Sequence, residues 1–203
     1  MFEPKFEKVA FTGKATAGKT TAAKYLTWAR NFCKVSFADE VKHEAVAEFG
    51  LDPYLIFEDY NYKVAHRKEL IDLGLSRRKF DPYYWIKKAN SKILKIYKSG
   101  LYDGVVMDDL GFINEGIWAW GSGFTIVKIE RQGLPDLKEN IRDFEFDNWL
   151  KDNNGAYDII INNSGTIPEF CEILAQVFSP KSKSWEQKRR KMLEFLPDMV
   201  RDQ

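Results

Sequence analysis

The chain has 203 residues, of which 44% are hydrophobic and 30% charged, and a net charge of +1. That suits one globular domain able to bury a core, and no overall field marks it as a binder of nucleic acid or of a membrane surface. Two cysteines, Cys33 and Cys171, lie far apart in apolar surroundings, and two histidines, His43 and His66, are too few for a multi-histidine metal site. No apolar run reaches transmembrane length, and the opening Met1-Phe2-Glu3-Pro4-Lys5 lacks the apolar core of a signal peptide, so a cytoplasmic protein is expected.

The first strand is expected over 8–12, around the apolar Val9-Ala10-Phe11. It runs into Gly13-Lys14-Ala15-Thr16-Ala17-Gly18-Lys19-Thr20, which reads G-x-x-x-x-G-K-T, with Thr21 after it. A helix is expected over 20–32, where Tyr25, Leu26, Ala29 and Phe32 recur at helical spacing. A loop of this kind between strand and helix cradles phosphates. Its glycines let the backbone curl, successive N–H groups point inward, and the helix N-terminus adds partial positive charge. Lys19 is expected to reach the β- and γ-phosphates of a nucleoside triphosphate, and the Thr20 hydroxyl to join a Mg²⁺ shell.

Further strands are expected over 33–37, 104–107, 124–129 and 157–161. Their alternation with helical patterns implies an α/β fold, a parallel sheet covered on both faces. Between the second and third strands lies a long, mostly helical insertion, 38–100. Within it Trp85, Ile86, Ala89, Ile93, Ile96 and Tyr97 form an apolar stripe, with Lys87, Lys88, Lys92, Lys95 and Lys98 mostly on a solvated opposite face. The third strand ends in Asp108-Asp109, acids placed to hold Mg²⁺, usually through water, or to orient a nucleophile. After a Ser/Lys/Pro break at 179–184, residues 184–203 read as a C-terminal amphipathic helix, and the run Lys188-Arg189-Arg190-Lys191 as its solvated face. The whole is taken as one domain.

A phosphate loop alone does not choose among GTPases, motors and small-molecule kinases. No N-K-x-D motif for reading guanine is present. The rest of the chain, beyond the loop, resembles the phage and bacterial deoxynucleoside monophosphate kinases, a branch of the P-loop nucleotide kinases. Ser36-Phe37-Ala38-Asp39-Glu40-Val41-Lys42 is similar to F-A-D-x-h-K, and Arg67 to Gly74 to R-x-x-L-Q-x-x-G, with Arg77 and Arg78 after it. Asp81 to Ile86 matches D-x-x-x-W-h, Asp109 to Gly116 resembles D-h-R-F-x-N-E-A, and Asp158 to Thr166 resembles D-h-h-I-x-N-x-G-T.

The resemblance implies transfer of the γ-phosphoryl group of ATP to the 5′-phosphate of a deoxynucleoside monophosphate. It also implies a three-layer nucleotide-kinase sandwich with a five-stranded parallel sheet, the insertion being the acceptor-binding part. By that likeness Gly13 to Thr21, Asn163 and Gly165 bind ATP. Asp39, Arg67, Arg77, Arg78, Trp85, Asn114 and Glu115 face the acceptor, and Asn114 and Glu115 could equally cap the helix that comes after them. Lys19, Arg67 and Asp109 carry the catalysis, Thr20 and Asp109 hold Mg²⁺, and 132–148, with Arg131 and Arg142, is a candidate lid. One departure stands out: Gly111 occupies the place of the family's arginine, so Arg77, Arg78, Arg131 and Arg142 are the candidates to replace it. The rival readings are a dephospho-coenzyme A kinase-like or other small-metabolite kinase, and a non-catalytic nucleotide sensor. Nucleotides are the expected partners, no nucleic acid or membrane is expected, and a homodimer is left open.

Overall fold

Short apolar runs supply the centre of the molecule. The computed structural model describes residues 6–134, 142–152 and 157–179, with side chains in the helix beginning at 142 described from Glu145 onward. Strands β1 (Glu7–Thr12), β2 (Phe32–Lys34), β3 (Gly104–Met107), β4 (Thr125–Glu130) and β5 (Ile159–Asn162) form one five-stranded sheet. Their order is β2-β3-β1-β4-β5 and every pairing is parallel, with Ala10 opposite Met107 on one side and Ile126 on the other. Because all strands run the same way, the loops that leave their C-terminal ends gather along one edge, the usual place for a ligand in an open parallel sheet.

Both faces are covered, and the period of two along each strand decides which residue goes where. Val9, Phe11, Val106, Val127 and Ile129 pack with α1 (Lys19–Ala29) and α9 (Ile167–Val177), through Ala22, Leu26, Phe170 and Leu174. Ala10, Val105, Met107 and Ile126 pack on the other face with α6 (Tyr84–Ser99), α7 (Ile113–Gly121) and α8 (Arg142–Asp152). Between β2 and β3 the chain folds into α2 (Phe37–Phe49), α3 (Leu55–Glu58), α4 (Tyr60–Ala65), α5 (Arg67–Phe80) and α6. Helices α2 to α5 enclose a small core of their own, Ala45, Leu51, Ile56 and Leu73, flanked by Phe57 and Tyr62.

Several expectations change at element ends. Helix α1 stops at Ala29: Asn31 adopts a left-handed φ of 52°, and Phe32 already belongs to β2. Strand β2 stops at Lys34, because Ser36 caps α2 by accepting the Asp39 N–H, so Asp39 lies in a helical first turn and not at a strand tip. The lysine face of α6 is largely ion-paired: Lys87 with Asp81, Lys88 with Glu44 and Lys92 with Glu40. Tyr97 of the apolar stripe is exposed and meets the Phe6 ring edge to face.

The second half of the 132–148 segment is α8, whose Phe146 and Leu150 are buried in the core. The rest of that segment from 135 to 141 lies outside the described residues. Cys171 is buried and Cys33 half-buried, both as free thiols. Among the described residues no helix is long and apolar enough to cross a membrane. The expected C-terminal helix and its basic run lie outside the described residues.

Candidate active site

The loop after β1 has the backbone that its glycines imply. Gly13 has φ 133° and Gly18 φ 111°, conformations open to glycine; a Cβ on Gly13 would come within 2.3 Å of the Ile129 carbonyl oxygen. Gly18 is the N-cap of α1, whose first turn contains no acidic residue to compete with a bound anion. The Lys19 ammonium donates to the carbonyls of Gly13 and Lys14, at 2.5 and 2.7 Å, which holds it across the mouth of the loop.

The loop after β5 braces this arrangement. Asn163 is buried and donates from Nδ2 to the Ala17 carbonyl at 2.8 Å, while its backbone N–H bonds the Glu130 carbonyl. Thr16, Gly18, Lys19, Thr20 and Thr21 then share a pocket of about 500 Å³ with Arg131, Asn163, Gly165, Thr166, Ile167 and Phe170. The expected ATP residues from both ends of the chain thus meet. Arg131, expected in a lid, lines this pocket directly. Sequence reasoning does not single out Thr166, Ile167 and Phe170 as site residues: they read as the capping and apolar face of α9, which they also are.

Beside the loop, β3 delivers Asp108 and Asp109, both buried. Asp109 Oδ2 accepts from the Ser36 hydroxyl and the Ala38 N–H, each at 2.8 Å, so this carboxylate joins the end of β3 to the start of α2. Asp108 pairs with Lys34 at 3.2 Å. Among the described residues no group of three or more histidine, cysteine, aspartate or glutamate side chains is arranged to hold a metal ion. A hydroxyl on the loop and a strand-end carboxylate are hard oxygen donors that suit a Mg²⁺ arriving with nucleotide phosphates.

Next to these acids lies a group of cations. Asp39 pairs with Lys42 at 2.9 Å, and although burial works against its charge, Lys42, Lys34 and Lys92 hold its carboxyl below the usual range. Lys34 is pushed up by Asp108, Asp39 and Asp109 against the effect of burial. Lys63, on α4, is pulled down by burial and by the like charges of Lys42, Arg67 and Lys34, with Asp39 opposing. Arg67 is exposed at the start of α5.

The remaining expected acceptor residues are tied into the scaffold. Trp85 is 0% exposed, with its indole N–H bonded to the Gly74 carbonyl, so it presents no surface to a ligand. Arg77 bonds Glu44 and Glu48 on α2. Glu115, 1% exposed, accepts the N–H groups of Gly111 and Phe112 at 3.1 Å each and pairs with Arg78, whose guanidinium stacks 4.1 Å from the Phe112 ring centre. A guanidinium from α5 therefore stands beside Gly111, engaged with Glu115. Asn114 donates to the Pro82 carbonyl. It lines, with Arg78, a separate pocket of about 450 Å³ that shares no residue with the loop pocket. The side chain of Arg142 lies outside the described residues.

The order β2-β3-β1-β4-β5, the phosphate loop after the central strand and the helical insertion after β2 define the fold of the P-loop kinases. The structure resembles a dephospho-CoA kinase from Campylobacter jejuni at a TM-score of 0.50 and 18% identity, covering 87% of this chain and 98% of that one. A shikimate kinase from Aquifex aeolicus aligns at a TM-score of 0.39 and 18% identity, over 84% of this chain and 95% of its own. In sequence, the chain is 26% identical over 190 residues to a protein of Acanthamoeba polyphaga mimivirus named "Putative deoxynucleotide monophosphate kinase", covering 80% of this chain and 91% of that protein. No protein-family model matches the chain.

Proposed function

We propose that the chain is a Mg·ATP-dependent kinase that phosphorylates deoxynucleoside 5′-monophosphates to diphosphates. One observation carries the choice of acceptor. At the sheet edge that bears the phosphate loop, Asp39 and Asp108 are each ion-paired with a lysine, and Asp109 is hydrogen-bonded by Ser36 and Ala38. A hydroxyl acceptor calls for a general base near its proton, and carboxylates already engaged by a lysine or by Ser36 and Ala38 are poorly placed to serve as one. A phosphate oxygen is already a competent nucleophile near neutral pH, and its transfer chemistry rests on positioning and charge neutralisation. The relative from mimivirus, by its name, supports the same acceptor class.

In this reading the loop and Lys19 hold the β- and γ-phosphates of ATP, with Arg131, Asn163 and Gly165 around the rest of the nucleotide. Thr20 and Asp109 would hold Mg²⁺, which when bound spreads and neutralises phosphate charge. Arg67 grips the acceptor phosphate, a task suited to its forked donors. The protein needs no covalent step of its own.

The test is ADP release from Mg·ATP with each deoxynucleoside monophosphate in turn, alongside dephospho-coenzyme A and a no-acceptor blank. Turnover with one or more monophosphates is the expected result. Turnover with dephospho-coenzyme A alone would replace the acceptor, in line with the resembling fold, and a flat panel with ATP still bound would replace the enzyme with a nucleotide sensor. Lys19→Ala should abolish turnover while the fold survives.

A further inference from the structure

Resting on the reading that the acceptor is a deoxynucleoside monophosphate, we propose that its base enters the pocket of about 450 Å³ lined by Arg78, Tyr83, Phe112, Asn114, Ile117 and Glu145, and that Glu145 selects a base bearing an amino group. Topology puts this pocket on the edge that holds the phosphate loop. Tyr83 precedes α6, Asn114 lies in the first turn of α7 and Glu145 near the start of α8. These helices lead into β3, β4 and β5, whose first residues lie at the far edge of the parallel sheet, so their N-termini open at the near one. Ala10 is opposite Met107, and continuing that register sets Asp109 beside the start of the loop. Phe112 is three residues beyond Asp109, at most about 11 Å of chain. An acceptor whose phosphate meets the loop beside Asp109 has its base within reach of this pocket.

The lining suits a base and not a phosphate. Its one cation, Arg78, already pairs with Glu115 and stacks 4.1 Å from the Phe112 ring centre. With Glu145 added, these three charged groups sum to one negative charge, which repels a phosphate. Tyr83 and Ile117 are 52% and 48% exposed, so a ring and a branched side chain stand open to a flat, apolar ligand. The polar groups left over are acceptors. Asn114 uses its Nδ2 on the Pro82 carbonyl at 2.6 Å, which leaves Oδ1. Among the described residues no hydrogen bond or ion pair engages Glu145. A carboxylate only accepts, so it matches an amino group on a base edge, as acidic side chains match the cytosine amine, and it is repelled by the carbonyl oxygens of thymine. Ile117 and Glu145 lie outside every motif that carries the family resemblance, and Tyr83 fills an unspecified position of one.

The experiment is steady-state ADP release from Mg·ATP with dAMP, dCMP, dGMP and dTMP in turn. Wild type, Tyr83→Ala, Tyr83→Phe, Glu145→Gln and, as a control, the exposed Tyr60→Ala are compared, with thermal melts to verify folding. In Tyr83→Ala the acceptor KM should rise about tenfold through lost stacking, while the KM for ATP stays put. Inhibition by 2-deoxyribose 5-phosphate, which carries the phosphate but no base, should not change. Tyr83→Phe and Tyr60→Ala should match wild type. Wild type should favour the amino-bearing monophosphates over dTMP by about tenfold in kcat/KM, and Glu145→Gln, which can also donate to a base oxygen, should narrow that ratio. An unchanged acceptor KM in a folded Tyr83→Ala overturns the pocket assignment and leaves the kinase reading standing. Weakened inhibition by 2-deoxyribose 5-phosphate in that variant overturns it too, since the ring would then serve the phosphate. A wild type that uses dTMP as well as the others overturns the selection by Glu145. A wild type that turns over no monophosphate overturns both the pocket and the kinase reading.

Discussion

Glu115 has a partner for each carboxylate oxygen although almost none of it is exposed: two backbone N–H groups on one, the Arg78 guanidinium on the other. A buried ion pair adds little by itself, but losing one member strands the other, at about 3–5 kcal/mol. Arg78→Ala is therefore expected to lower stability by about that amount in urea unfolding, and Glu115→Gln added to it should recover part of the loss. Equal stability of Arg78→Ala and wild type would mean that the pair is dispensable. Gly13 makes a sharper demand, since both its φ of 133° and the 2.3 Å approach of its virtual Cβ to the Ile129 carbonyl oxygen forbid a side chain. Gly13→Ala is expected to lose ATP binding in equilibrium dialysis even where the protein still folds.

One acid of helix α2 reaches both α5 and α6, with Glu48 and Glu40 adding further pairs to Arg77 and Lys92. Glu44 accepts from Arg77 on α5 and from Tyr84 on α6, and pairs with Lys88. Burial works against its charge, yet the hydrogen bonds from Lys88, Arg77 and Tyr84 win, and the carboxyl falls to about 2. An unfolded glutamate titrates at about 4.3. The folded-state value is the lower one, so this group stabilises the protein above about pH 4.3 and the stabilisation drains away as pH falls toward 2. Glu44→Gln should be less stable than wild type at pH 6, and the gap between their urea midpoints should narrow at pH 3; a gap independent of pH would refute the linkage. Helices α7 and α8 depend instead on closeness. A Cβ on Gly116 would sit 2.0 Å from the Phe146 ring, so Gly116→Ala should cost about 1–3 kcal/mol by overpacking, and Phe146→Leu should relieve some of it.

Across the whole molecule, what could be read in the sequence was local. Each of the expected strands is a short apolar run closed by a glycine, an acid or a turn, and each is present, whereas β2 ends early because a serine hydroxyl, not hydrophobicity, decides where α2 begins. The strand order had no local signal, since Glu7 pairs with Gly104, and the resemblance implied a five-stranded parallel sheet without its order. Trp85 shows a conflict between two signals: its place in the apolar stripe implied burial, its motif implied the acceptor, and burial prevails. ATP at about one hundred times its Kd should add about 2.7 kcal/mol, or roughly 5–10 °C in Tm for a domain of this size, and Lys19→Ala should abolish the gain. Cys171, a residue of α9 in the core that this helix shares with α1, is 1% exposed and its thiol is pushed up to about 11 by burial. A thiol so protected can be alkylated only when α9 leaves α1, which makes the chain its own clock for the opening of the nucleotide pocket. The labelling rate of that one sulfur would count openings in real time, and a nucleotide that braces the pocket should slow the clock.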